Sequence, residues 1–376
     1  MQISAAFDGG NIEVLGIGDH GRARLAIRKD NQSDFYQWFY FRVSGARGID
    51  CRLEVVNAEG AAYADGWRDY KPVASYDRVR WFRTDAAYVD GQLIIHLKPE
   101  QDTVWVAFFA PYSMERHQDL IARCQASPLV RVEVLGETLD GQALDLLHIA
   151  ASHPPPPRQA WIIARQHPGE TMAEWWMEGF LERLLDEDDP VARALLGKLT
   201  FHVVPNMNPD GSRRGHLRTN AVGMNLNREW AEPSMEKSPE VFLVRQRMDV
   251  RGVDFFLDVH GDEELPYNFI AGCEGIPSIT EHQMALLTRY KAALVTASPD
   301  FQIEHGYPVA PPNGANLTMA TAQVGERFGC LAMTLEQPFK DTANNPHPAT
   351  GWSPERCRKL GRACLDALHQ VVDDLR

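Results

Sequence analysis

The stretch RQHPGETMAEWW, residues 165–176, sets His167 and Glu170 three apart around Pro168–Gly169, between an apolar run, WIIAR, and an aromatic, helix-like run. An imidazole nitrogen and a carboxylate oxygen are good donors for a borderline ion such as Zn2+. A turn at Pro168–Gly169 would let both side chains face one point. By itself the pair is weak, because a surface histidine followed by a glutamate at a helix N-terminus gives the same pattern and the helix dipole favours it. A third donor comes from VDFFLDVHGDEE, where an apolar strand runs into His260 and Gly261 permits close approach. Two histidines and one glutamate leave a fourth position for water, as a hydrolytic zinc site requires. Asp258 shares a strand face with His260, so it either orients a ligand or pairs with a basic residue.

The loop NPDGSRRGHLRTNAVGMNLNREW, residues 208–230, is polar, glycine-rich and too long for a simple turn, and such loops at strand ends carry function. It concentrates Arg213, Arg214, Arg218 and Arg228 in an otherwise acidic chain. An arginine fork grips a carboxylate, and a second arginine can stabilise an oxyanion. Arg213 and Arg214 read as solvated loop charge; Arg218 and the pair Asn227–Arg228 are the better candidates. In CLAMTLEQPFKD, Glu336 ends an apolar strand at the rim of a sheet. There it can take a proton from water and deliver it to a leaving amine, the alternative being an exposed strand-end glutamate.

These residues need a scaffold. Residues 1–112 read as β throughout: NIEVLGIG, RARLAIRK, WFYFRVSG, CRLEVVNA, DRVRWFRT, QLIIHLKP and TVWVAFFAP are short runs between turn signals. Their spacing predicts an all-β antiparallel sandwich, followed by a helical connection over 113–129. From 130 to 376 strands alternate with helices, which predicts an α/β domain with a mixed sheet flanked by helices. VRVEVLGE and LDLLHIA form a hairpin turning at Asp140–Gly141. Met172, Trp176, Phe180 and Leu184 recur on one helix face, and further helices are expected over 238–249, 279–296 and 354–375. HPPPPR, 153–158, reads as a stiff surface loop rather than a docking motif. Such sheets bind ligands outside the carboxyl ends of their strands, where the candidate residues fall.

Composition narrows the function. The chain has 376 residues, 44% hydrophobic and 24% charged, with a net charge of −13 and no basic cluster, which argues against nucleic-acid and anionic-membrane partners. No apolar run approaches the roughly 20 residues that span a bilayer. The N-terminal sequence lacks the basic and apolar regions of a signal peptide. The six cysteines form no CxxC pair, so they read as reduced thiols in a cytoplasmic protein, not as metal ligands.

In this order HPGE, NPDG…R…NLNR, a strand ending in DVHG, and TLE resemble the funnelin-type zinc metallocarboxypeptidases, and more closely their cytosolic carboxypeptidase-like subgroup. FYQWFYFRVSG and VAFFAPYSMERHQDL resemble that subgroup's N-terminal sandwich and its junction. The likeness covers nearly the whole chain. It implies a zinc-dependent exopeptidase acting on the C-terminus of a peptide or protein, with one Zn2+ held by His167, Glu170 and His260. It further implies that Arg218 polarises the scissile carbonyl, that Asn227 and Arg228 bind the terminal carboxylate, and that Glu336 is general base and acid. Tyr307, in EHGYPVAPP, takes the place of a mobile tyrosine over the substrate. Two departures stand out. Asn225 replaces an aspartate that in many relatives supports a zinc histidine. In addition, Met319 to Ala322 replace a Gly-Arg segment found in members acting on polyglutamate, so that specificity does not follow unless Lys340, Arg327 or an arginine of the 213–218 loop substitutes. The rival functions are a zinc deacylase of small N-acyl amino acids and a non-catalytic peptide-binding module.

Overall fold

The computed structural model describes residues 1–151 and 154–376, so His153 of the HPPPPR loop lies outside the described residues. The first ten strands are β1 (Gln2–Ser4), β2 (Glu13–Ile17), β3 (Arg22–Ala26), β4 (Tyr40–Ser44), β5 (Cys51–Val55), β6 (Val73–Ser75), β7 (Phe82–Arg83), β8 (Ala86–Val89), β9 (Gln92–Leu97) and β10 (Thr103–Ala107). They build two five-stranded sheets, ordered β1-β4-β10-β6-β7 and β2-β3-β5-β9-β8. The pairing is antiparallel apart from β3 against β5, which run parallel. Alternation explains the layering: in β5 the side chains of Cys51, Leu53 and Val55 are buried while Arg52 and Glu54 stay at the surface. The inward residues of both sheets meet in one core with Phe39, Phe41, Val104 and Val106.

One strand expectation holds only in part. DRVRWFRT is a turn over most of its length, because the Asp77 side chain accepts from the amides of Val79 and Arg80, at 2.8 and 2.7 Å, and Arg78 takes a φ of 62°. Only Phe82–Arg83 remains extended.

The second sheet system contains β11 (Val130–Glu137), β12 (Ala143–Ile149), β13 (Arg158–Ala164), β14 (Leu199–Val204), β15 (Phe255–Val259), β16 (Phe269–Gly272) and β17 (Leu331–Glu336), in the order β11-β12-β14-β13-β15-β17-β16. The central strands β14, β13, β15 and β17 are parallel and the others antiparallel. The helices are α1 (Met114–Gln125), α2 (Met172–Leu184), α3 (Pro190–Leu196), α4 (Pro209–Arg214), α5 (Pro239–Arg251), α6 (Glu281–Ala297), α7 (Ala320–Phe328) and α8 (Pro354–His369). Alternate residues of each central strand enter different cores. Ile162, Leu257 and Met333 face one with α2 and α8, while Trp161, Phe256 and Ala332 face the other with α5 and α7. Burial on both faces is why these strands read as continuous apolar runs.

Helix α2 is enclosed on all sides, beyond the single face its sequence suggested: Ala173, Trp175 and Met177 are as buried as Met172 and Trp176. On one side α8 crosses so closely that a Cβ on Gly361 would lie 2.2 Å from the Trp176 carbonyl. On another the Trp175 indole donates to the Ala110 carbonyl at 2.9 Å. The N-terminal sheets and the mixed sheet share one hydrophobic core, with Phe108 stacked on Phe339 at 4.4 Å. All six cysteines are buried and unpaired. No helix among the described residues is long and apolar enough to cross a membrane.

Candidate metal centre and cleft

The carboxyl ends of the parallel strands gather the candidate residues. Strand β13 ends at Ala164, and Pro168–Gly169 make a turn closed by the Glu170 amide donating to the His167 carbonyl at 3.1 Å. A Cβ on Gly169 would meet the Leu217 carbonyl at 3.0 Å, and the Gly169 amide donates to that same oxygen at 2.8 Å. The turn brings His167 Nδ1 to 2.6 Å from Glu170 Oε1. His260, just past β15, places its Nδ1 2.9 Å from Glu170 Oε2 and 3.2 Å from His167 Nδ1. Donor atoms of these three residues all lie within 4.8 Å of one another, and all three are buried.

The outward nitrogens are taken. His167 Nε2 lies 3.1 Å from Asn225 Oδ1, and His260 Nε2 lies 2.9 Å from Asp258 Oδ2. Both partners accept, so with a metal bound each ring would keep its proton on Nε2 and turn the Nδ1 lone pair toward the shared point. Asp258 is itself held by Gln166 Nε2 at 2.6 Å, and Gln166 accepts from the Trp230 indole at 2.8 Å. Of the two readings of Asp258, its contacts with His260 and Gln166 fit the one in which it orients a candidate ligand. Two imidazoles and a carboxylate around one point form a donor set suited to zinc. Burial and the nearby Arg218 charge push His167 down to about 4, which keeps its ring neutral. Burial would also lower His260, but the Asp258 and Glu170 charges outweigh it and leave the ring well above its ordinary value.

Glu336 closes β17 beside His260. It is not the exposed strand end of the bland reading: only 6% of it is accessible, and its Oε2 has no hydrogen-bond partner among the described residues. Burial raises its pKa well above the carboxylate range, and the Glu170, Asp262 and Glu263 charges add to the rise against the opposing pull of His260. Glu263, which sequence reading left among three acidic residues, is likewise buried and likewise raised.

The 208–230 loop begins with α4 and ends in a 3-10 turn, Leu226–Arg228. Asn227 Oδ1 accepts the Ala320 amide at 2.9 Å, which seats this turn against the start of α7. Arg228 is exposed, its Nη1 donating to the Asn227 carbonyl at 2.7 Å. Arg213 is exposed too, and Arg214 pairs with Asp140 at 2.6 Å, so neither enters the site. Tyr307 donates its hydroxyl to Asp262 Oδ2 at 2.6 Å, with its ring edge-on to Phe269.

No apolar period announced α7, whose first turn occupies the Met319–Ala322 segment. A cavity of about 240 Å3 opens beside it, lined among others by Tyr307, Asn316, Thr321, Thr334 and Lys291. The Thr321 and Thr334 hydroxyls pair at 2.7 Å, and Lys291 lies 3.5 Å from Glu274. Of the suggested substitutes for the missing arginine, Lys340 donates to the Arg68 carbonyl at 2.9 Å, Arg327 pairs with Asp249 at 2.6 Å, and in the 213–218 loop Arg214 pairs with Asp140 at 2.6 Å.

Comparison with known proteins agrees with this geometry. Residues 3–109 match the cytosolic carboxypeptidase N-terminal domain, and residues 118–294 match the zinc carboxypeptidase domain. A metallo-carboxypeptidase from Pseudomonas aeruginosa, solved with (2-guanidinoethylmercapto)succinic acid, is 47% identical over 100% of both chains, with a TM-score of 0.97. A protein of Zymomonas mobilis is 54% identical over 375 residues, covering 100% of this chain and 97% of its own length. Mouse cytosolic carboxypeptidase 3 is 28% identical over 314 residues, and the match spans 73% of this chain but 30% of the mouse protein. The two histidines and one glutamate therefore stand in a chain that belongs to the zinc carboxypeptidase family, with the N-terminal domain of the cytosolic carboxypeptidases.

Proposed function

We propose that His167, Glu170 and His260 hold the zinc ion of this carboxypeptidase, and that Arg218, Asn227, Arg228, Tyr307 and Glu336 act on the last residue of a peptide. The observation that carries the reading is the convergence of both Nδ1 atoms on Glu170 while both Nε2 atoms face acceptors. Zinc there supplies a Lewis acid for the scissile carbonyl and lowers the pKa of water. Arg228, with the Asn227 amide, takes the free terminal carboxylate, so that only the last peptide bond reaches the metal. Arg218 donates to the carbonyl oxygen as negative charge grows on it, an interaction that is strongest where water is excluded. Glu336 takes a proton from the attacking water and returns it to the leaving amine. Tyr307 leaves Asp262 to close over the bound residue.

Residues 1–112 form the sandwich in this reading, 113–129 the connection and 130–376 the catalytic domain. Six unpaired thiols favour a cytoplasmic location. The net charge of −13 argues against nucleic acid as a partner. The test is metal reconstitution. Metal-free protein is expected to be inactive on peptides and to recover with one equivalent of Zn2+, while His260→Ala does not recover. Full activity in the metal-free protein overturns the proposal.

A further inference from the structure

Arg218 is aimed by the N-terminal sheets. Asp30 belongs to the connection between β3 and β4 and is 3% exposed. Its Oδ1 accepts the Leu217 amide at 2.7 Å; its Oδ2 accepts the Arg218 and Thr219 amides at 2.8 and 2.9 Å and the Thr219 hydroxyl at 3.1 Å. One carboxylate thus fixes three consecutive amides of the catalytic loop. Asn31 extends the clamp, its amide donating to His216 Nε2 at 3.1 Å and its side chain to the Ala221 carbonyl at 2.5 Å. The contact is tight: Gly223 has a φ of 80°, and a Cβ there would lie 2.4 Å from the Gln32 carbonyl.

The same segment reaches the guanidinium. The Asp30 amide donates to the Phe35 carbonyl at 2.8 Å, closing the turn that carries both residues. Arg218 Cζ lies 5.6 Å from the Phe35 ring centre and 5.2 Å from that of Tyr63, within cation–π range of both. Tyr63 is held in turn by buried Gln37, which accepts the Tyr63 amide at 2.8 Å and donates to its carbonyl at 3.0 Å.

We propose that Asp30 is a positioning residue for catalysis: with Phe35 and Tyr63 it makes the N-terminal domain one wall of the active site and fixes Arg218 where the oxyanion develops. The inference rests on the role given to Arg218 above. A donor aimed in advance costs no reorganisation at the moment of reaction, whereas a long free side chain must be ordered first. Asp30 therefore acts on the transition state and leaves the grip of Asn227 and Arg228 on the ground-state carboxylate unchanged.

The experiment is a double-mutant cycle. Asp30→Asn turns one acceptor into a donor facing amide N–H groups. It is expected to lower kcat by about 10- to 100-fold while KM moves by less than about 3-fold. Zinc content stays at one per chain, and affinity for a phosphinic transition-state mimic falls by the same factor as kcat. In an Arg218→Ala background the change costs less than about 2-fold more, because the residue it positions is gone. Should Asp30→Asn not fold, Phe35→Leu carries the test, with an expected loss of about 3- to 10-fold in kcat and the same non-additivity. Asp34→Ala, at an exposed ion pair with Lys29, is the control and keeps wild-type rates. Equal losses with and without Arg218, or an unchanged kcat, overturn the inference and leave Asp30 as a tie between domains. An Arg218→Ala variant with wild-type kcat instead overturns the role given to Arg218, and the inference with it.

Discussion

His260 and Glu336 stand side by side at the carboxyl ends of neighbouring parallel strands: Val259 is in register with Leu335, and the His260 amide donates to the Leu335 carbonyl at 2.8 Å. One residue beyond that pair, each strand carries one of the candidate residues. The strand register itself thus fixes the separation of the proposed metal donor and the proposed proton carrier. Glu336→Gln keeps the shape and removes the base. We expect kcat to fall by about 10^2- to 10^4-fold with zinc content unchanged, measured by peptide hydrolysis beside metal analysis. A variant retaining more than a few per cent of wild-type activity contradicts the assignment.

Asn225 lies 3.1 Å from His167 Nε2 and accepts its proton without a charge. An aspartate there would make the imidazole a stronger donor. Asn225→Asp is expected to tighten zinc binding by about 10-fold, read by competition with a chelator of known affinity. An unchanged or weaker affinity would remove Asn225 as the orienting partner.

Arg228 is exposed and ready for a carboxylate, while Asn227 is seated on α7. Arg228→Ala should raise KM for peptides with free termini by about 10-fold or more, with a smaller effect on kcat, because the lost contact exists in ground and transition states alike. A kcat defect at constant KM would place Arg228 elsewhere in the mechanism.

His117 tests the support beneath the site. It is 2% exposed, with Nδ1 2.9 Å from Glu174 and Nε2 3.4 Å from Asp145. Burial would lower its pKa, but bonding to Asp145 and Glu174 and their charges raise it from 6.5 to about 9. Since the folded value exceeds the unfolded one, the stabilisation is complete below pH 6.5 and is lost as the pH rises through about 9. It amounts to about 3 kcal/mol at most. Urea unfolding at pH 6 and pH 9.5 should show the wild type losing this increment and His117→Gln losing none of it. Parallel pH curves for the two proteins would refute the pairing.

The sequence carried the site further than it carried the scaffold around it. His167, Glu170 and His260 were legible because each follows an apolar run directly, and strand ends aim such residues at one edge of the sheet. The hairpin at Asp140–Gly141 was legible for a similar local reason, and Gly141 does take a φ of 74°. Asp30 was not, since a lone aspartate in a turn gives no sign that its partners lie 187 residues away. Helix α7 was missed because its short run, ATAQVGERF, carries no long apolar period and follows a loop. The strand at DRVRWFRT is shorter than its apolar alternation suggests, because Asp77 caps a turn at its start.

A carboxypeptidase cleft of this kind removes only the last residue from a chain with a free carboxylate. Zinc-loaded protein should be given a peptide library varied at the final position, together with the same peptides amidated at the C-terminus, and the products followed by mass spectrometry. Stepwise loss of single residues is expected from the free peptides, none from the amides, and none with Glu336→Gln. Equal cleavage of amidated peptides, or cuts within the chain, would contradict it.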